Sequence, residues 1–111
     1  MTDGLKSRRE CTVVAIDESA LDVSTRERVE TQLRFAAPPD APLVVDWSNV
    51  LYADRLGLEA LFDFLMERTG PVAFSGMRRD LEHFFLRLQI LPLLPTASTS
   101  EEAVALLERL S

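Results

Sequence analysis

The chain has 111 residues, 47% of them apolar and 27% charged, and its 12 Lys and Arg against 18 Asp and Glu give a formal net charge of −6. At roughly 150 residues per domain this is a single domain, residues 1–111, long enough to bury a real core. The acidic balance argues against nucleic acid or an anionic membrane surface as partner, since both require clustered Lys and Arg. One cysteine, Cys11, and one histidine, His83, leave no internal disulfide, no Cys-rich zinc cage and no multi-His metal site. No apolar run of signal-peptide length precedes Cys11, and Glu59, Asp63, Glu67 and the prolines interrupt every longer apolar stretch. The expectation is a cytoplasmic protein without membrane insertion.

From Cys11 the residues Cys-Thr-Val-Val-Ala-Ile read as a strand with both faces at least partly covered. Ser24-x-x-Glu27 has the form of a capping box and opens a helix with Val29, Leu33 and Ala36/Ala37 at helical spacing. Pro38-Pro39 ends that helix, because proline neither donates to the helical ladder nor lets the residue before it stay helical comfortably. Leu43-Val-Val-Asp46 is a short apolar run that reads as a central strand, and Trp47 to Asp54 form its end and the following loop. A second helix is expected from about Arg55 to Thr69, with Leu58, Leu61, Phe62, Leu65 and Met66 on one side and Gly70 at the left-handed C′ position.

Val72-Ala-Phe74 reads as a third strand and Ser75-Gly76 as its turn. A third helix, about Arg78 to Leu88, carries Leu81, Phe84, Phe85 and Leu88 at i, i+3, i+4, i+7. Leu91-Pro-Leu-Leu-Pro95 has room for a short strand only, at a sheet edge because of its prolines. Thr99-Ser-Glu-Glu102 starts a last helix whose Ala103, Leu106, Leu107 and Leu110 face inward. Strands separated by helices cross over and pair in parallel. The expected architecture is a small α/β domain with a mostly parallel sheet of four or five strands and about four helices.

Catalytic chemistry is hard to place in this chain. Its four glycines match neither the dinucleotide fingerprint nor the phosphate-binding loop, both of which need several between a strand and a helix. His83 lies about 200° around its helix from Leu81, away from the apolar stripe, and reads as solvent-facing rather than as a base beside a nucleophile. Cys11, at the start of a strand, reads as a small half-buried hydrophobe. Asp17, Asp22, Asp46 and Asp54 all fall at strand ends, the usual ligand side of an α/β sheet, where turns and caps also need carboxylates. No catalytic residue, metal site or cofactor is expected. Trp47 reads as core, and Arg78, Arg79 and Arg87 as a solvated helix face.

The stretch from Leu43 to Leu58, Leu-Val-Val-Asp-Trp-Ser-Asn-Val-Leu-Tyr-Ala-Asp-Arg-Leu-Gly-Leu, resembles the core signature of the STAS domain, the fold of bacterial anti-sigma-factor antagonists. That signature is an apolar strand ending in Asp-Leu-Ser, a variable loop, and Asp-Ser-Ser-Gly-Leu opening a helix. Glu18-Ser-Ala-Leu-Asp22 upstream and Val72 to Leu91 downstream are similar to the family's flanking elements, so the resemblance spans about residues 11 to 110. The family's phosphoacceptor serine directly follows the motif aspartate, and here that position is Arg55, followed by Leu56 where the next motif serine stands. A phosphate would bring a charge of about −1.5 to −2 to a helix N-terminus, which the macrodipole favours; Arg55 places a permanent positive charge there instead.

The resemblance implies a non-enzymatic module of protein–protein interaction in bacterial signalling, an antagonist engaging an anti-sigma-factor or kinase-like partner without phospho-control at the standard position. Asp54, Arg55, Leu56, Gly57, Ala60 and Phe64 are the expected contact residues. On a helical wheel Leu56, Ala60 and Phe64 fall opposite the Leu58 stripe, as an anchor row for a partner. Ser48 and Ser75 are candidate sites for a regulatory phosphate, against a plain role as turn formers. Two alternatives stand beside this reading: an accessory STAS subunit of an ABC-transporter ATPase, and a scaffold that forms homo-oligomers through the same face.

Overall fold

A computed structural model describes residues 11–88 and 94–110 of the chain. Strand β1 (Thr12–Ala15) is followed by a two-residue strand β2 (Ala20–Leu21) and helix α1 (Arg26–Ala36). Strand β3 (Leu43–Asp46), the short β4 (Tyr52–Ala53) and helix α2 (Arg55–Met66) repeat that pattern. Strand β5 (Val72–Ser75), helix α3 (Arg79–Arg87), strand β6 (Thr96–Ala97) and helix α4 (Ser100–Leu110) complete the order.

The main sheet has the order β1-β3-β5-β6 and every pairing in it is parallel. Each strand is therefore laid beside the last in one direction. Right-handed crossovers then place α1, α2 and α3 on a single face. That layer closes over Val14, Ile16, Leu43, Val45, Val72 and Phe74, with Val29, Leu33, Leu58, Leu61, Leu65, Leu81 and Phe85 as the helical contribution. The opposite face is left to α4, whose Ala103 and Leu107 cover Val44 and Ala73. Among the described residues the expected α/β class, with a parallel main sheet and four helices, is what forms.

The elements differ from the sequence expectation at points with clear physical causes. Only one face of β1 is closed: Val14 is buried while Val13 remains 45% exposed, since among the described residues β1 is an outer strand and α4 lies over the middle of the sheet. The start of α1 is organised by Asp22 and not by the Ser24–Glu27 capping box. Asp22 Oδ1 accepts the N–H groups of Ser24 and Thr25 and the Ser24 hydroxyl, and the N-cap is Thr25. The strand expected over Leu91–Pro95 falls largely on residues 89–93, outside the described residues, as does the side chain of Leu110. The edge strand is Thr96–Ala97. On α1 Ala37 is buried and Ala36 exposed.

Helix α2 ends at Met66, which is exposed, and Gly70 is not a left-handed cap. Gly70 instead lies flat against the loop before β3, where a Cβ would collide with the Ala41 carbonyl oxygen. The same two loops are joined by Arg68, whose Nη2 donates to the carbonyls of Pro38 and Ala41, and by Thr69 and Gly70 N–H groups donating to Pro39.

Replacing Gly70 by alanine is expected to push these loops apart and cost about 1–3 kcal/mol of stability, measured by urea unfolding. A second expectation concerns acid. Hydrogen bonds from Ser24, and then from Thr25, hold the Asp22 carboxyl below the usual aspartate range. A carboxyl lowered in the folded state stabilises it above the unfolded value, and that contribution fades as pH falls through the folded value. The acid-induced loss of stability should be smaller in Asp22→Ala than in the unaltered chain, read from melting temperatures across the acidic range.

Candidate functional site

The C-terminal ends of β1 and β3 continue into β2 and β4, which pair with each other in parallel, Ala20 opposite Tyr52 and Leu21 opposite Ala53. This small second sheet was not foreseen, because two residues carry no periodicity. It turns the segment Trp47–Asp54 from a loose loop into a fixed ledge. Leu51 N–H and Tyr52 N–H donate to the Ser19 carbonyl, Asp54 N–H to that of Leu21, and the Asn49 amide to that of Ile16.

Helix α2 starts from this ledge. Asp54 is its N-cap, accepting the Gly57 N–H at 2.8 Å, which satisfies one of the orphan donors of the first turn. Gly57 is buried against the ledge: a Cβ there would lie 2.6 Å from the Leu21 carbonyl oxygen and 2.8 Å from Asp22 Cα, so only glycine lets the helix come this close. Leu56, one residue earlier, points outward and is 58% exposed. Arg55 is exposed and its Nε donates to Glu59 Oε2 at 3.0 Å, one turn along the helix. A surface pair of this kind is worth a few tenths of a kcal/mol, and it places the charges in the order the helix dipole disfavours.

Around this corner several apolar side chains face solvent. Leu51 is 59% and Tyr52 56% exposed, and Val23, which directly follows the Asp22 backbone packed on Gly57, is 53% exposed. The sequence does not point to Leu51, Tyr52 and Val23 as exposed apolar residues, because Tyr52 lies on a strand of two residues and the others beside such strands, where no periodicity marks a face.

The expected row Leu56–Ala60–Phe64 is not continuous. Phe64 is half-buried against the core, and the Arg34 guanidinium of α1 lies 5.0 Å from its ring centroid, an arrangement that holds the two helices together. The buried arc of α2 is centred between Leu61 and Leu65 and extends to Gly57 and Phe64, because α1 packs on that flank. Ala60 is half-exposed at its border. Of the six contact residues expected from the sequence, Arg55 and Leu56 are open at the corner, Asp54 and Gly57 build it, and Phe64 packs between helices.

The two candidate phosphate acceptors separate as clearly. Ser48 is exposed, and its N–H donates to Asp46 Oδ1. Ser75 is fully buried, with its hydroxyl 3.1 Å from that of Ser100, so a modifying enzyme has no access to it. Trp47 is core, in edge contact with Phe74 and Phe85.

His83 is exposed on α3. Burial, and secondarily the Glu108 carboxylate, push the Cys11 thiol upward, away from the thiolate a nucleophile needs. No group of three or more His, Cys, Asp or Glu is placed to hold a metal among the described residues. No helix among them is long and apolar enough to cross a membrane.

The sequence model of the STAS domain family matches residues 5–103. No match was found among curated protein sequences. Among solved structures the chain is similar to a sulfate transporter family protein from Wolinella succinogenes, with 16% identity and a TM-score of 0.73 over 91% of this chain and 87% of that one. It is also similar to the STAS domain of a SulP transporter from Vibrio cholerae, with 18% identity and a TM-score of 0.67 over 92% of this chain and 84% of that one. A third likeness is to the murine anion transporter solute carrier 26 family member A9 in its inward-facing state, at 13% identity and a TM-score of 0.75. There the match takes in 91% of this chain but only 18% of the transporter. At these identities the likeness establishes a shared fold.

The geometry of the corner separates two substitutions. Gly57→Ala should lower stability by about 1–3 kcal/mol, because its Cβ meets backbone that must shift. Leu56→Glu should stay within about 0.5 kcal/mol of the unaltered chain, as an exposed side chain does. Urea unfolding of both variants checks the pair.

Proposed function

The chain belongs to the STAS domain family, and from that premise we propose that it is a non-enzymatic protein-binding module that presents the corner of β4 and α2 to a protein partner. The observation that carries this reading is the set of exposed apolar side chains, Leu51 and Tyr52 on a ledge whose backbone is hydrogen-bonded in place, with Val23 after β2 and Leu56 on the first turn of α2. Single exposed apolar residues are ordinary on a protein surface. Four on two adjoining segments, with Asp54, Arg55 and Glu59 at the rim, have the make-up of an interface core with a polar border. A fixed backbone also lowers the ordering cost that association carries.

The finer reading is an antagonist of the anti-sigma-factor type, acting in the cytoplasm on a kinase-like partner. Arg55 in place of the acceptor serine makes engagement constitutive, since the charge at the head of α2 does not depend on ATP. A second reading, an accessory STAS subunit of a transporter ATPase, draws support from the structural neighbours, two of which carry transporter names and one of which is a transporter's STAS domain.

Capture from native lysate with the unaltered chain and with Leu56→Glu, quantified by mass spectrometry, tests the module. An anchor residue at an interface centre is worth about 2 kcal/mol or more, so partner recovery should fall by roughly 30-fold in the variant. Equal recovery contradicts the reading, and the partner's identity separates sigma regulation from transport. Incubation of the captured complex with ATP should leave residues 51–68 without phosphate. Phosphate on Tyr52 with release of the partner would contradict constitutive binding.

A further inference from the structure

Arg55, Glu59 and Asp63 are spaced four residues apart on α2, so they stand in one row along the helix. All three are exposed, and the Arg55 Nε donates to Glu59. Leu56, three residues before Glu59 and seven before Asp63, lies on one flank of that row. On the other flank the row borders a groove of about 330 Å³, lined by Arg55, Glu59, Phe62, Asp63 and Leu88. Phe62 and Leu88, the C-cap of α3, are half-buried against the core and form its apolar floor.

The charges of this lining do not cancel. One guanidinium stands against two carboxylates, which leaves the groove negative by one charge, and Arg55 is already engaged with Glu59. Ligand clefts run from roughly 300 to 1,000 Å³, so this groove is small for a cofactor and suits one long side chain. An aliphatic stem with a cation at its tip answers both halves of the lining. Its methylenes would cover Phe62 and Leu88 while its charge reaches Asp63. An acidic side chain would be repelled here, and a wholly apolar one would take water from Asp63 and return nothing.

We propose that this groove receives a cationic side chain, an arginine or a lysine, from the protein partner that docks on the corner. The inference rests on the binding-module reading, because groove and corner share Arg55 and Glu59 and because a partner seated on Leu56 covers the acidic row. Glu59 and Asp63, one turn apart, repel each other along the free helix. A cation set between them relieves that repulsion, so the row gains on association what it costs the isolated chain. Complementary charge of this kind also rejects partners with an acidic surface.

Three single-residue probes test the groove: Nα-acetyl-arginine methylamide, its lysine counterpart, and its citrulline counterpart, which keeps the length of arginine without the charge. Followed by amide NMR of the full chain, the arginine or lysine probe should shift Glu59, Phe62, Asp63 and Leu88 and saturate in the millimolar range. Asp63→Asn should weaken that binding by roughly fivefold, and citrulline should leave the amides in place. Amides that ignore both cations, that answer citrulline equally, or that respond unchanged in Asp63→Asn would overturn the proposal. The partner is read separately in the lysate capture, where Asp63→Lys should lower recovery by roughly tenfold. If Leu56→Glu loses the partner and Asp63→Lys keeps it, the groove inference falls and the binding module stands. If both variants keep it, the module falls and the groove inference with it. Asp63 is exposed, so its variants should melt with the unaltered chain.

Discussion

The approach of α2 to the Leu21–Asp22 backbone is the constraint on which the corner depends. Gly57 provides it, since a side chain there would meet main-chain atoms of the β2 turn, which would have to shift. The Asp54 cap then fixes the first turn of the helix on the ledge, and the β2–β4 pairing fixes the ledge to the end of the sheet. Together these decide that Leu56 points outward beside Leu51 and Tyr52 instead of into the core. The polar chemistry at this corner is local and weak. Its position is strict, because it is set by excluded volume.

Behind the corner the sheet is held by aromatic packing. Trp47, at the end of β3, meets the edges of Phe74 and Phe85, and Phe62 of α2 leans on Phe74. Such contacts contribute about 0.5–1.5 kcal/mol each beyond the area they bury. They tie α2 and α3 to the two central strands near the level at which the ledge leaves the sheet. The Arg34–Phe64 contact does the same between α1 and α2. Phe64 is thereby committed to the fold. Leu51 and Tyr52 on the ledge and Leu56 on the first turn of the helix stay exposed.

Most of the architecture was legible in the sequence. The run Leu43–Asp46, the stripe Leu58–Leu61–Leu65 and the pair Leu81–Phe85 each carry a period that physics translates directly into strand or helix, and strands separated by helices leave only parallel crossovers. Where the reading failed, the deciding force acted across the chain. Phe64 sits on the wheel where solvent was expected, and its burial comes from a neighbouring helix whose position no local pattern records. Ser24 and Glu27 match a capping box, yet the Asp22 carboxylate takes the Ser24 hydroxyl and the N–H groups of Ser24 and Thr25. Ser75 looks like a turn residue and is buried where α4 begins, its hydroxyl against that of Ser100. The departure at Arg55, in contrast, was visible at once, because it is a matter of residue identity alone.

The claim that the β4–α2 corner is the contact surface is tested most directly by hydrogen–deuterium exchange on the captured complex, compared with the free chain. The account expects slower exchange in residues 50–56 and in the stretch around Val23, with α4 and β6 unchanged. Slower exchange along α4 and β6, with the corner exchanging as in the free chain, would contradict it.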